Sequence, residues 1–119
     1  MRITLSPKGK GNWIVEEKFS IYSKTVKGII VVPSGFITDL ASIPRFLWAI
    51  CPPFGRYTTA AVVHDYLYRN GMYTRKKCDK VFKEIMKEYN VSKWKVSVFY
   101  SFVRVCGKGS FGGKKWKDK

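Results

Sequence analysis

The stretch Thr58–Asn70, with the sequence TTAAVVHDYLYRN, decides the fold of this chain. Apart from its ends, it carries apolar or aromatic residues on all sides, which is typical of a helix packed inside a domain. Thr58 can cap this helix, and Gly71 is the type of residue expected just after a last turn. We therefore predict an interior helix that carries His64 and Asp65.

A second helix is predicted directly after the first. It begins at Thr74, covers about residues 75–89, and has Cys78 and Phe82 on its inner face. Asp79 lies on the inner side of this helix or at its margin. The turn between the two helices has only a few residues, and such short connections make antiparallel neighbours.

The antiparallel pairing predicts that His64, Asp65, Tyr68 and Asp79 can face one another. Residues 92–106 fit both a strand and a helix pattern, and the flanking Ser and Gly favour a helix.

The N-terminal third predicts β structure. Its short runs of β-branched and aromatic residues are separated by Gly, Lys and Ser, and they cover Asn12–Val15, Phe19–Tyr22, Gly28–Val32 and Phe36–Thr38. A short helix over Arg45–Ile50 is expected before the proline pair at 52–53. The predicted fold class is α+β, with a small N-terminal antiparallel β region followed by a compact core of three to four helices. We expect one domain over residues 1–106 and a flexible basic tail over 107–119.

Composition supports a single folded domain. The chain has 119 residues, of which 45% are hydrophobic and 16% aromatic, enough to bury a real core and to exclude a disordered chain or a solenoid. No apolar stretch approaches the roughly 20 residues of a membrane-spanning helix, and the N-terminus lacks the features of a secretory signal. We expect a protein of a cytoplasm. Cys51, Cys78 and Cys106 form no CxxC pattern, so neither a disulfide framework nor a zinc site is expected.

The charge balance points to an anionic partner. The chain has 23 Lys and Arg against 8 Asp and Glu, with a formal net charge of +15. We expect an acidic protein or a nucleic acid as the partner, although a run of charge is usually only a solvated face. The candidate anion-binding residues are Arg75, Lys76, Lys80, Lys83 and Lys87 on the second helix and Lys114, Lys115 and Lys117 in the tail.

Three aspartates stand in apolar or aromatic surroundings. These are Asp39, Asp65 and Asp79, and Asp65 adjoins His64, the single histidine of the chain. A buried carboxylate costs several kcal/mol unless it is paired, hydrogen-bonded or bound to a metal. In a structural interpretation, tyrosines and arginines such as Tyr68 or Arg69 satisfy the aspartates, and Asp39 forms an Asx turn.

In a functional interpretation of the same residues, His64 is a general base. A carboxylate orients its other ring nitrogen, with Asp79 or Tyr68 in the orienting role. Asp39 and Asp65 would hold a hard divalent cation such as calcium or magnesium, or position water. Both interpretations stay open at the level of sequence.

Two motifs carry a family resemblance. Residues 35–45 read GFITDLASIPR and residues 64–68 read HDYLY. They resemble the characteristic positions, GFxTDxASxPR and HDYLY, of a family of small phage and prophage proteins, also found in bacterial genomes, that is defined only as a domain of unknown function. The similarity covers about residues 28–107. It implies a phage or prophage origin and gives weight to Asp39, His64, Asp65 and Asp79 as a group.

A second resemblance is local. In secreted phospholipases A2, a His-Asp pair followed by a Tyr lies on a helix antiparallel to a helix that carries an Asp. His64, Asp65, Tyr68 and Asp79 fit that pattern. The resemblance implies that the histidine is a base for water and that the adjacent aspartate binds calcium. The glycine-rich calcium loop and the flanking disulfide cysteines of that family are missing here, so lipid hydrolysis does not follow.

Three functions therefore compete. The first is a small hydrolase built on His64 and the aspartates. The second is a non-enzymatic virion component, such as a tail or baseplate part, or an assembly protein with a basic surface. The third is a nucleic-acid-binding accessory protein. All three functions are compatible with synthesis in the host cytoplasm. For the second function, the protein would then be incorporated in the virion.

Overall fold

A computed structural model describes residues 5–9, 12–38 and 55–106 of the chain. Five strands come first: β1 (Leu5–Gly9), β2 (Asn12–Val15), β3 (Phe19–Ser23), β4 (Gly28–Val32) and β5 (Ile37–Thr38). Three helices follow: α1 (Thr58–Asn70), α2 (Arg75–Glu88) and α3 (Lys93–Cys106). This arrangement confirms the α+β fold class. The predicted short helix over Arg45–Ile50 and the predicted tail lie outside the described residues.

The strands form two small antiparallel sheets. One has the order β1-β2-β5, and the other is the hairpin of β3 and β4. Strand β1 was not predicted, because it contains Pro7 and no β-branched residue. It pairs with β2 through a register in which Leu5 faces Val15, with an irregularity between Pro7 and Gly9. An edge strand tolerates a proline, since one side of its backbone needs no partner strand.

The helices begin and end close to the predicted positions. The αL conformation of Gly71, with φ 71°, ends α1, and its N–H donates to the Leu67 carbonyl. The side chain of Thr74 accepts a hydrogen bond from the Lys77 N–H at the start of α2. The predicted cap at Thr58 is wrong, because Tyr57 occupies the N-cap position, and its side chain does not form a capping hydrogen bond. The Thr58 hydroxyl instead accepts from the Gly55 N–H at 2.7 Å.

One hydrophobic core joins the sheets to the helices. Helix α1 contacts β4 and β5, while α2 packs between α1 and α3 and also contacts β3. Val15 and Val32 contribute from the strands, and Val62, Phe82 and Phe99 contribute from the three helices. As predicted, α1 is buried on nearly all sides, so the polar groups that it carries must find partners inside the protein.

The hairpin of β3 and β4 is fixed to α2 by one carboxylate. Glu84 accepts hydrogen bonds from the Ser23 hydroxyl at 2.8 Å, the Lys24 N–H at 2.7 Å and the Thr25 hydroxyl at 2.8 Å. Burial alone would raise the pKa of Glu84, but these donors outweigh it and lower the pKa. The turn between the two strands is therefore held by an ionised side chain of a helix.

Candidate functional site

The antiparallel packing of α1 and α2 brings His64, Tyr68 and Asp79 together. His64 and Tyr68 lie one helical turn apart on α1 and so share a face, and Asp79 lies opposite them on α2. Nε2 of His64 is 2.7 Å from Oδ1 of Asp79, and the Tyr68 hydroxyl donates to the same oxygen at 2.5 Å. The sequence pattern predicted that four side chains, those of His64, Asp65, Tyr68 and Asp79, face one another, and these contacts join three of the four.

The second oxygen of Asp79 is bound from α3. Arg104 Nη1 donates to Oδ2 at 2.7 Å, and Arg75 Nη1 lies 3.9 Å from the same atom. Arg75 uses its guanidinium mainly elsewhere, because it donates to the carbonyl oxygens of Val103 at 3.0 Å and Arg104 at 3.1 Å. These carbonyls belong to the last turn of α3, where a cation is favourable. Asp79 on α2 thus connects this helix to α1 and α3.

Asp79 is ionised in this environment. Its side chain is fully buried, and burial by itself would raise its pKa. The hydrogen bonds from His64, Tyr68 and Arg104 outweigh burial and hold the pKa of Asp79 below its ordinary value. The pKa of Tyr68 is raised, first by burial and then by its bond to Asp79, so the phenol stays protonated and donates.

His64 is neutral at neutral pH. Burial lowers its pKa, and although Asp79 acts in the opposite direction, burial has the larger effect. A carboxylate accepts hydrogen bonds, so the neutral imidazole has its proton on Nε2, where it donates to Asp79. The lone pair then lies on Nδ1. Asp79 thereby selects the tautomer in which Nδ1 can accept a proton.

The imidazole is enclosed by aromatic rings. The ring of Tyr68 lies 4.1 Å from it and the ring of Phe82 lies 4.8 Å from it, measured between centroids. Only 3% of the surface of His64 is exposed. This packing fixes the ring orientation and explains why burial outweighs the neighbouring charge in setting the pKa.

The titration of His64 predicts a pH-dependent stability. The pKa of His64 is below 6.5 in the folded protein and near 6.5 in the unfolded chain, so the unfolded chain binds more protons as the pH falls below that value. The free energy of unfolding should therefore be constant above about pH 7 and decrease below about pH 6.5, by at most about 1.4 kcal/mol per pH unit for one group. Asp79, with a folded pKa below 3.8, should add a further loss below about pH 4.

Urea denaturation at several pH values measures this dependence. His64 is the only histidine in the chain, so a change in stability between pH 7 and pH 5 can be assigned to it with little ambiguity. A free energy of unfolding that stays constant over this interval would contradict the lowered pKa.

Asp65 faces a different environment from His64. Its Oδ2 accepts a hydrogen bond from the Thr38 hydroxyl at 2.6 Å, and its Oδ1 lies 3.2 Å from Nε of Arg69. Arg69 also donates to the Ile37 carbonyl at 2.9 Å. Asp65 therefore connects α1 to β5, whereas Asp79 connects α1 to α2 and α3. The two acidic residues do not meet in one cluster.

The predicted cation site is only partly described. Asp39 lies outside the described residues, and in the described ranges no group of three or more His, Cys, Asp and Glu side chains could hold a metal ion. Both oxygens of Asp65 face donors, one of which is a guanidinium. These contacts are those of a carboxylate that joins a helix to a strand, and they leave Asp65 poorly suited to bind calcium. The calcium-binding role that the phospholipase resemblance implies for Asp65 therefore does not fit the described residues.

The predicted anion-binding residues are placed differently from one another. Lys76, Lys80 and Lys87 are exposed on α2. Lys83 is half-buried, with its ammonium 4.9 Å from the centroid of the Tyr100 ring. Arg75 is engaged with the end of α3, as described above. Lys114, Lys115 and Lys117 lie outside the described residues.

Sequence reasoning missed Arg104, Thr38 and Phe82 as partners of the site. Arg104 was detectable in principle, because it is a single cation in the apolar second half of α3 and such a residue needs an anion. The hydroxyl of Thr38 and the ring of Phe82 carry no comparable signal. Their roles depend on how the sheet and the helices pack.

The described architecture defines an α+β protein with a buried His-Asp-Tyr cluster between two antiparallel helices. The chain belongs to the family described as protein of unknown function (DUF1353), whose sequence model matches residues 13–103. It is also similar to the uncharacterized protein y4jT of Sinorhizobium fredii (strain NBRC 101917 / NGR234), with 36% identity over 78 residues. That match covers 64% of this chain and 23% of the relative, so the chain spans about a quarter of the relative's length. No solved structure matches.

Proposed function

We propose that the chain is a hydrolase in which His64 is the general base. The observation that carries this proposal is the 2.7 Å contact between His64 Nε2 and Asp79 Oδ1, which fixes the tautomer with its lone pair on Nδ1. A histidine oriented by a buried carboxylate is a recurring arrangement for proton transfer. The resemblance to phospholipases A2 implies the role of base for His64, and the short distance between its Nε2 and Asp79 Oδ1 supports an oriented imidazole.

The reaction would be an attack of water on an ester. Nδ1 of His64 takes a proton from water as the water oxygen bonds to the electrophilic atom, and the same proton then passes to the leaving oxygen as the ester bond breaks. The imidazolium that forms in between is stabilised by Asp79, which Tyr68 and Arg104 keep ionised. Since His64 is almost fully buried, water and ester reach it only after a local opening.

The test compares His64→Ala with wild type on carboxylic esters, phospholipids and phosphodiesters. For any substrate that the wild type hydrolyses, loss of a positioned base should reduce kcat by about 10²- to 10⁴-fold. Lys76→Ala is the matched control, because Lys76 is exposed on α2 whereas His64 is buried. Circular dichroism verifies that the His64→Ala protein is folded. A folded His64→Ala protein with unchanged activity would refute the proposal.

The second candidate is a non-enzymatic part or assembly protein of a phage particle. The observation in its favour is the complete burial of Asp79, whose two oxygens accept hydrogen bonds from residues of α1 and α3, as in a polar network that only fixes packing. The exposed lysines of α2 would suit an acidic partner protein or a nucleic acid. A phage or prophage origin, with synthesis in the host cytoplasm, is part of both candidates. Recovery of the protein in stoichiometric amounts from purified particles would favour the second.

A further inference from the structure

The outer side of α3 carries an apolar stripe. The exposed fractions are 51% for Trp94, 39% for Val98 and 78% for Val105. At 3.6 residues per turn these three positions lie within about 40° of one another on the helix surface. A helix face turned to water normally carries polar residues, so three exposed apolar side chains in one row are unusual.

Cations flank the first half of this stripe on both sides. A groove of about 620 Å³ runs between α2 and α3, and Lys83, Lys87 and Lys93 line it. A smaller hollow of about 350 Å³ is lined by Arg56 and Lys95. Both include the turn at Asn90, Val91 and Ser92, and neither contains an acidic residue. We call the stripe and these five cations together the α3 face.

We propose that the α3 face docks on the surface of a bilayer that contains anionic lipids. An apolar ridge with aromatic and aliphatic side chains enters the boundary between headgroups and acyl chains, while lysines beside it attract anionic headgroups. Trp94 suits the boundary because its ring is amphipathic, and the Lys95 ammonium lies 5.7 Å from that ring. The net charge of +15 adds attraction to the same surface.

Two other occupants fit the α3 face less well. A nucleic acid would use the cations and could stack on Trp94, but it gives no role to Val98 and Val105, which are aliphatic. A second copy of the chain would bring another charge of +15 to a face that is itself basic. A lipid surface uses both the stripe and the cations. This proposal stands apart from the hydrolase, because its residues are exposed on α3 or line two surface hollows, whereas His64 is buried against Asp79 and Phe82.

Vesicle flotation tests the proposal with the full chain. Vesicles of phosphatidylcholine alone are compared with vesicles of equal parts phosphatidylcholine and phosphatidylglycerol, at low and high salt. We expect at least about tenfold stronger binding to the anionic vesicles, weakened by salt. Val98→Ser with Val105→Ser should reduce that binding about tenfold. Lys83→Glu with Lys87→Glu should remove most of its salt-sensitive part.

Matched controls exist on other surfaces. Ile29→Ser removes an apolar side chain of β4 whose exposed fraction, 68%, lies between those of Val98 and Val105, and Lys76→Glu with Lys80→Glu makes the same charge change on α2 outside the groove. Both controls should bind more strongly than the variants of the α3 face.

Four results would overturn the proposal. The first is equal binding to neutral and anionic vesicles, and the second is an equal loss of vesicle binding in the α3 face variants and the controls. The third is binding to a single-stranded oligonucleotide that is tighter than binding to vesicles and is unchanged by Val98→Ser with Val105→Ser. The fourth is self-association of the protein that the two valine substitutions abolish.

Discussion

Replacement of Asp79 by alanine should lower the free energy of unfolding by about 3–5 kcal/mol, the range seen when one partner of a buried ion pair is removed. Asp79 accepts hydrogen bonds from His64, Tyr68 and Arg104, and the substitution leaves all three donors without their acceptor. The Arg104 guanidinium then lacks a counter-charge in a half-buried position. Urea denaturation followed by circular dichroism measures the change.

Two further variants make this test specific. Glu88→Ala removes an exposed carboxylate from the same helix and should change stability by less than about 0.5 kcal/mol. Asp79→Asn keeps the shape of the side chain but loses its charge, so we expect a smaller loss than for alanine. If Asp79→Ala cost no more than Glu88→Ala, the network would not contribute to folding as the contacts indicate.

Phe82→Ala should lower the free energy of unfolding by a similar amount, for a different reason. The Phe82 side chain is fully buried, and its removal leaves a cavity beside the imidazole of His64, whose ring centroid is 4.8 Å away. Truncation of a buried phenylalanine typically costs about 3–5 kcal/mol. The cavity also frees the imidazole to turn, so the pKa of His64, followed by NMR titration, should return toward 6.5.

The control for this variant keeps the volume of the site nearly filled. Phe82→Leu should lower the free energy of unfolding by less than Phe82→Ala does, since most of the apolar contact remains. Tyr22→Ala removes an exposed aromatic ring from β3 and should have little effect. A pKa of His64 that stays equally low in Phe82→Ala would mean that this ring does not control the burial of the imidazole.

Much of the fold could be predicted because the sequence patterns that define its strands and helices extend over only a few neighbouring residues. The strand Gly28–Val32 and the end of α1 before Gly71 were predicted at their observed positions, since β-branched runs and a C-terminal glycine act within a few residues. The structure resolved the ambiguity of residues 92–106 in favour of a helix. The predictions failed where pairing partners matter more than composition, as in β1, or where Tyr57 replaces Thr58 as the cap.

The candidate site was predictable only in part, for a related reason. The distance along the chain between His64 and Asp79 is short, and one tight turn between two helices suffices to bring them together. Arg104 reaches Asp79 from a third helix, and Thr38 reaches Asp65 from the strand β5. Such contacts depend on tertiary packing, which no local pattern encodes.

Through Glu84, α2 also stabilises the β3–β4 hairpin, which lies outside the candidate site. The same helix holds the imidazole through Asp79 and, a little more than one turn later, holds the hairpin turn through Glu84. Turns usually exchange their amide hydrogens rapidly, yet the Lys24 N–H is held at 2.7 Å by a charged acceptor on a core helix. The hairpin cannot open without breaking these bonds. Sheet and helices should therefore melt as one cooperative unit, with this ordinary surface turn among the slowly exchanging parts of the molecule.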